Sequence, residues 1–281
     1  MPEIILTIVK YGLVASVFVS MFGLGLNMAP RNLRFTLDHP GLMLRSLAVV
    51  VVLIPLAVVA IDLLLQPARP VAVALAVLAA APAAPLAMGK AHGSGGAMIY
   101  AANLQLLVAL LAPVTTPLTL TILQQVLDFE ATINPLRVAQ QVFVMQFLPI
   151  TLGVLIHAKL PQLEPWGRKL VRLAGLVLLA TIAIVMVFLY AAFLGLDPLS
   201  YLAVVAMPVA ALSIGHLSAP REPGMRVCLA VEAAMRNPGL ALLIGNLNFP
   251  EAHPLQTLAP CIVIAILAAT IYGKWQQRIA S

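Results

Sequence analysis

Two charged residues stand out in this sequence because they lie four positions apart in a long apolar stretch. Glu232 and Arg236 fall near the middle of residues 224–247. A charge inside a membrane-spanning helix costs about 3 kcal/mol on insertion scales, so it usually faces a partner or a wet cavity. Such a glutamate can bind a cation or carry a proton, and the arginine can replace a bound cation or anchor a carboxylate. A simple ion pair between them is the structural alternative, provided that the turn between them is helical.

Residues that interrupt helices accompany these charges. Asn237, Pro238 and Gly239 follow Arg236 directly. Pro82 and Pro85 interrupt an earlier apolar stretch in the same way. Proline lacks a backbone N–H and clashes with the preceding turn, so one such position gives an ordinary kink. Two breaks at corresponding places in the two halves of a chain indicate inverted repeats with a binding site near the bilayer midplane.

Other polar residues are weaker candidates for the same site. Asn103 and Gln105 lie in the apolar stretch 97–124, and Lys90 follows the first pair of prolines. Asn237 is placed to donate or accept a hydrogen bond at the second break. Polar side chains in membrane helices often only join helices together, and a lysine near a loop often only fixes topology. Both structural alternatives therefore stay open.

Membrane-spanning helices must position these residues. Of the 281 residues, 62% are hydrophobic and 9% are charged, whereas soluble domains contain about 25% charged residues. Apolar runs of about 20 residues match a helix that crosses the bilayer, and they lack the alternation of barrel strands. The predicted fold is all-α, a polytopic membrane protein with about nine transmembrane helices. The predicted spans are 4–27, 42–65, 70–91, 97–124, 136–158, 170–193, 198–216, 224–247 and 255–273.

The basic residues are distributed unevenly between the two sides of these spans. The net charge of +6 comes from lysines and arginines that sit mainly in loops, which membrane insertion explains without nucleic acid. One side receives Arg31, Arg34, Arg45, Lys90, Lys159, Arg168, Lys169, Arg172, Arg221, Arg226, Lys274 and Arg278. The other side receives only Arg69 and Arg137. Because cytoplasmic loops carry the excess of Lys and Arg, we expect a multi-pass protein of the plasma (inner) membrane, with its N-terminus outside and its C-terminus cytoplasmic.

Enzyme chemistry is not indicated. The sequence has no HExxH, no GxSxG and no paired carboxylates at membrane depth, so we expect no catalytic residue, metal or cofactor. Cys228 and Cys261 lie in apolar stretches without paired spacing. They are expected to be small core residues.

Three stretches of the chain resemble the bile acid:sodium symporter family. They are MFGLGLNMAP at 21–30 with His39-Pro40, APAAPLAMGKAHGSGG at 81–96 continuing to LAP at 111–113 and Pro117, and VEAAMRNPGLA at 231–241. The resemblance covers nearly the whole chain as one transporter unit, 1–281. It implies that the third and eighth helices are discontinuous and cross in a core of about 42–126 and 198–273. The implied panel, about 4–27 and 136–193, moves against this core.

The residues that the resemblance aligns with sodium ligands are mostly changed. The family's glutamate is retained as Glu232, but a Ser-Asn pair aligns with Ala87 and Met88. Hydroxyls on the fourth helix align with Ala101 and Gln105, and glutamines on the second and eighth helices align with Val50 and Arg236. Sodium needs several hard oxygen ligands, which these replacements do not supply. Our hypothesis is that the Arg236 guanidinium takes the place of a sodium ion and neutralises Glu232.

The sequence therefore predicts a secondary transporter of a small organic anion, working by alternating access without sodium. Positive charge from Arg236 and Lys90, together with helix N-termini, suits a carboxylate or sulfonate. Two alternatives stay open: a sodium- or proton-coupled symporter that uses Glu232, and a non-transporting membrane sensor or structural protein. The expected partners are the organic anion and the lipid bilayer, with the proton as the alternative coupling ion and no nucleic acid.

Overall fold

The computed structural model describes residues 3–28, 33–129, 133–249 and 254–280. Regular structure within these residues is helical. The α-helices are α1 Glu3–Leu26, α2 Leu33–Asp38, α3 Pro40–Ala48, α4 Ile54–Leu65, α5 Arg69–Ala80, α6 Pro85–Gly93, α7 Met98–Val126, α8 Pro135–Val142, α9 Leu148–Lys159, α10 Glu164–Leu194, α11 Pro198–Ser218, α12 Pro223–Ala234, α13 Pro238–Asn248 and α14 Pro254–Ala280. Short π-helices, Val49–Leu53 and Phe143–Phe147, join α3 to α4 and α8 to α9, and the 3-10 turn Pro161–Leu163 precedes α10.

The helices account for the predicted membrane crossings. Among the described residues, seven continuous helical stretches are long and apolar enough to cross a bilayer. They are Thr7–Leu26, Pro40–Leu65, Met98–Val126, Pro135–Lys159, Pro161–Phe188, Pro198–Ser218 and Gln256–Ile279. Two further crossings are divided into half-helices, α5 with α6 and α12 with α13. The all-α polytopic fold with interrupted third and eighth helices is thus confirmed, and the short helix α2 is an addition that the sequence did not suggest.

Prolines and short polar side chains set the helix starts. Most of the described α-helices begin with proline in the first turn, where the missing N–H would lack a partner in any case. Asn134 caps α8 by accepting from the backbone N–H groups of Leu136 and Arg137. Asp197 caps α11 similarly, and its hydrogen bonds from Ser200 keep the pKa of this carboxyl below its usual range.

Contacts between helix ends define two ends of the molecule. At one end the Gln277 side chain donates to the Gly93 carbonyl. At the other, Arg69 donates to the Leu127 carbonyl at 2.8 Å. We call these the inner end and the outer end, following the side that the distribution of basic residues predicts to be cytoplasmic.

Close helix contacts bind α1 to α9 and α10. A Cβ on Gly25 would lie 2.2 Å from the Ile150 carbonyl oxygen, and one on Gly153 would lie 2.4 Å from the Phe22 carbonyl oxygen. Small residues at such positions let membrane helices approach closely. A separate set of contacts packs α11 against α4, α12 and α14, and α14 against α5. The half-helices on either side of the two breaks therefore pack with α4, α11 and α14.

Replacing Gly153 by alanine is expected to destabilise the protein by about 1–3 kcal/mol, because the added methyl group has no room between α1 and α9. The thermal unfolding midpoint in detergent measures this change. Gly41→Ala is the matched control: nothing lies within 4 Å of the added Cβ, so the midpoint should be unchanged or slightly higher. Equal midpoints for the two variants would contradict the tight contact.

Candidate functional site

The two helix breaks meet as short extended segments. One segment runs from the end of α5 at Ala80 to the start of α6 at Pro85, and the other separates α12 from α13. Ala83 and Arg236 form an antiparallel bridge between the segments. The Ala84 N–H donates to the Met235 carbonyl at 2.9 Å, and the Asn237 N–H donates to the Pro82 carbonyl at 2.6 Å. The segments therefore cross each other, and each satisfies part of the other's exposed backbone.

Arg236 occupies the carbonyl-rich end of α5. Its Nε donates to the Leu78 carbonyl at 3.2 Å, and its Nη2 donates to the Ala79 carbonyl. Nη2 also donates to the Val50 carbonyl at 3.1 Å. Val50 belongs to the π-helix between α3 and α4, where the backbone hydrogen-bond register changes. One buried guanidinium thus binds carbonyl oxygens from two different transmembrane segments.

Neutral donors satisfy other carbonyls at the same break. Thr116 Oγ1 donates to the Ala80 carbonyl at 3.0 Å. Gln105 Nε2 donates to the Ala83 carbonyl at 2.8 Å. Both residues come from α7, which therefore completes the shell of donors around the end of α5. The break is held by protein N–H and O–H groups.

Glu232 lies in the last turn of α12 and is completely buried. Neither carboxyl oxygen accepts a hydrogen bond from the described part of the chain, and Nη1 of Arg236 also has no partner there. The only ion pair among the described side chains joins Arg168 to Glu164 at the surface. Because α12 ends at Ala234, Glu232 and Arg236 do not form the helical i,i+4 pair, although they interact electrostatically at longer range.

A small cavity adjoins the crossing on the side of α1 and α10. It has a volume of about 10 Å³, room for about one water molecule. Ser16 and Ser20 of α1, Leu178 of α10 and Asn237 are among its lining residues. Asn237 Oδ1 caps α13 by accepting from the Leu240 N–H, whereas its Nδ2 has no partner among the described residues. A buried amide donor is therefore available at the cavity.

Two helix N-termini also reach this cavity. Pro85 and Pro238, the first residues of α6 and α13, both line it. No side chain caps α6. Helix N-termini present backbone N–H groups and a partial positive charge, which favours anions. With the Asn237 amide, they give the lining of this cavity hydrogen-bond donors and partial positive charge.

The predicted site residues separate into two groups. Glu232, Arg236, Asn237 and Gln105 meet at the crossing, next to the breaks at Pro82, Pro85, Pro238 and Gly239. Asn103 instead accepts from Thr36 Oγ1 and donates to the Ile99 carbonyl. Met88 packs partly buried against apolar clusters, and Lys90 lies in the last turn of α6, away from the break.

Sequence reasoning missed several members of the site. Ser16 and Ser20 were not considered, although their i,i+4 spacing in an apolar helix would have placed them on one face. The sequence pattern does not mark Thr116 or the Val50 carbonyl as members of the site. A threonine in a membrane helix usually bonds its own backbone, and a backbone carbonyl is invisible in the pattern of side chains.

Comparison with known proteins identifies the family of the chain. No curated protein matches the chain, but the model of the Sodium Bile acid symporter family matches residues 14–195. The match covers more than half of the chain and includes the first break. Members of this family are transporters rather than enzymes. The chain therefore belongs to the Sodium Bile acid symporter family and is a membrane transporter of that type.

Proposed function

We propose that the protein transports a small organic anion by alternating access and that it does so without sodium. The observation that carries this proposal is the Arg236 guanidinium, which donates to the carbonyls of Leu78, Ala79 and Val50. A sodium ion needs several oxygen ligands at once. Oxygens that already accept from a fixed cation are not free to bind a second one, and the two positive charges would repel each other.

The charge of Arg236 also substitutes for the electrostatic role of a bound ion. It lies at the C-terminal end of α5, where the helix dipole is negative, and within electrostatic range of the buried Glu232. A guanidinium keeps its proton in proteins and cannot dissociate from the chain. The crossing is therefore held together in every step of a transport cycle, and no ion gradient acts through it.

The cavity beside the crossing supports an anionic substrate. Its donors are the Asn237 amide and the N-termini of α6 and α13, while Val17 and Leu178 supply apolar walls. Ser16 and Ser20 now donate to their own helix and become donors to the substrate after rotation about χ1. Since the cavity holds about one water molecule, α1 and α10 must separate from the crossing to admit a substrate. This movement divides the chain into a unit of about 4–27 and 136–193 and a unit of about 42–126 and 198–273.

One observation favours a second candidate, in which Glu232 carries a proton that drives transport. Its carboxyl group is buried, and neither oxygen accepts a hydrogen bond from the described residues. Burying an ionised carboxylate without hydrogen bonds costs much more free energy than burying a protonated one. If protonation of Glu232 is linked to substrate movement, the flow of protons is coupled to transport.

Arg236→Gln is expected to destabilise the protein by about 3–5 kcal/mol, because it leaves buried carbonyls and Glu232 without their cation. Sodium at high concentration should then bind the freed oxygens and raise the thermal midpoint of the variant by about 3 °C, whereas potassium should not. The wild-type midpoint should be the same in sodium and potassium. Differential scanning fluorimetry in detergent measures all four midpoints.

Arg168→Gln is the matched control for that comparison. Arg168 forms an exposed ion pair with Glu164, so its loss should cost less than about 1 kcal/mol and create no response to sodium. A specific stabilisation of the wild-type protein by sodium would contradict the proposal that Arg236 replaces the ion.

Asn237→Asp is expected to reduce the affinity for the anion at least about 100-fold while preserving the α13 cap, since Asp caps helices as well as Asn does. It replaces the unpaired amide donor by a carboxylate that repels the substrate. The ligand for this test is the carboxylate or sulfonate that most raises the wild-type thermal midpoint in a screen. Asn134→Asp changes the same kind of cap on exposed α8 and should leave the affinity unchanged. A screen without any stabilising anion, or equal affinities for both variants, would count against the site.

Glu232→Gln distinguishes the proton-coupled candidate from the leading proposal. If Glu232 carries the coupling proton, the variant loses uptake driven by a pH gradient but keeps exchange of labelled for unlabelled substrate. The leading proposal expects both activities to respond equally to the substitution. Paired uptake and exchange assays in proteoliposomes measure the difference.

A further inference from the structure

A larger cavity lies between α1 and α13, closer to the outer end than the crossing. Its volume is about 190 Å³, room for a sulfonate group and a short alkyl chain. Val9 and Leu13 line it from α1, and Leu242 and Leu243 line it from α13. Its polar lining residues are Lys10 and Asn246, both exposed. The cavity therefore combines aliphatic walls with one cation and one amide.

Lys10 is the notable member of this cavity. It lies within the apolar stretch Thr7–Leu26, where a lysine is unfavourable unless it reaches water or an anion. No acidic side chain pairs with it in the described part of the structure. Its position is also unexplained by the distribution of basic residues, because it is on the side that carries few of them. An unpaired ammonium group at the mouth of an apolar cavity suits an anion with an apolar body.

The outer cavity and the cavity at the crossing follow one seam. Along α1 the outer cavity ends at Leu13 and the inner one begins at Ser16, one helical turn later. Along α13, Asn246 lines the outer cavity, and Pro238, earlier in the same helix, lines the cavity at the crossing. The two helices touch beside the cavity at the crossing, where a Cβ on Gly239 would lie 2.4 Å from Cγ2 of Val17, which lines that cavity. A solute in the outer cavity is therefore separated from the crossing by a contact between α1 and α13.

We propose that the outer cavity captures amphipathic organic anions, with the Lys10 ammonium group and the Asn246 amide binding the carboxylate or sulfonate. The aliphatic residues of α1 and α13 bind the apolar body, and the seam then leads the anion to the crossing. The second step rests on the proposed transport function, whereas binding in the cavity does not. Phospholipid headgroups present a similar anionic group, so the test includes a membrane arm that separates the two sources.

The first test measures how Lys10 controls access of charged reagents. Leu247→Cys places a thiol at an exposed position in the cavity lining and leaves Lys10 and Asn246 in place, and the natural Cys228 and Cys261 are buried and so remain unlabelled. In phosphatidylcholine proteoliposomes, labelling rates are compared for a negatively charged sulfonatoethyl methanethiosulfonate and a positively charged trimethylammonioethyl methanethiosulfonate. Adding Lys10→Gln should lower the ratio of anionic to cationic rates about tenfold. An unchanged ratio would overturn the proposal.

Two controls make this ratio specific to the cavity. Arg137→Gln removes an exposed cation near the start of α8 and should leave the ratio at Leu247→Cys unchanged. A thiol at exposed Leu199, at the start of α11, should show no dependence on Lys10. If Arg137→Gln lowers the labelling ratio as much as Lys10→Gln does, the total charge of the surface controls labelling, and this would contradict a binding site at Lys10.

The second test uses 1-octanesulfonate as the probe. It should protect Leu247→Cys from labelling, whereas methanesulfonate and octyltrimethylammonium should not, and Lys10→Gln should weaken the protection at least about tenfold. Protection by the cation as well, or loss of all protection when phosphatidylglycerol is added to the vesicles, would overturn the proposal in favour of nonspecific or lipid binding. The thiol reports on the outer cavity alone and the Asn237→Asp test reports on the crossing, so failure of one is distinguishable from failure of the other.

Discussion

The Arg236 guanidinium, hydrogen-bonded to carbonyl oxygens at the end of α5 and in the π-helix that holds Val50, makes the crossing of the two broken helices stable. Carbonyls released by a helix break in a membrane have no bulk water to bind, so the protein must supply donors. Thr116 and Gln105 supply the remaining side-chain donors. These donors are all covalently part of the chain, which supports the proposal that the crossing works without a bound sodium ion.

A fixed cation also changes what Glu232 is able to do. An exchangeable sodium ion would bind and leave with the carboxyl group as a ligand, whereas the guanidinium stays and makes no direct contact with it in the described structure. The carboxyl group is thus left with electrostatic compensation but without a hydrogen bond. In the proposed transport of an anion, the energy for net movement comes either from the anion's own gradient or from a proton on Glu232.

The sequence predicted those parts of the site that follow from local chemistry. Pro82, Pro85 and Asn237-Pro238-Gly239 had to interrupt helices, and Glu232 and Arg236 had to be enclosed, because backbone breaks and charges are costly in lipid. The direction of the Arg236 side chain was not predictable, since its acceptors at Leu78 and Val50 are 158 and 186 residues away in sequence. Asn103 and Gln105 look equivalent in sequence, yet about 100° of rotation per residue turns them to different neighbours, and only Gln105 reaches the break.

Glycine contacts constrain how the transporter opens. Gly25 and Gly153 bring α1 against α9, and Gly23 and Gly167 bring α1 against the start of α10, at distances that leave no space for a methyl group. These contacts favour movement of α1, α9 and α10 as one unit. The contact between Gly239 and Val17 is of a different kind, because it joins α1 to a half-helix of the crossing, beside the cavity that Val17 lines. In the proposed transport cycle, passage of a solute along this seam requires that the contact between α1 and α13 opens while the contacts among α1, α9 and α10 stay closed.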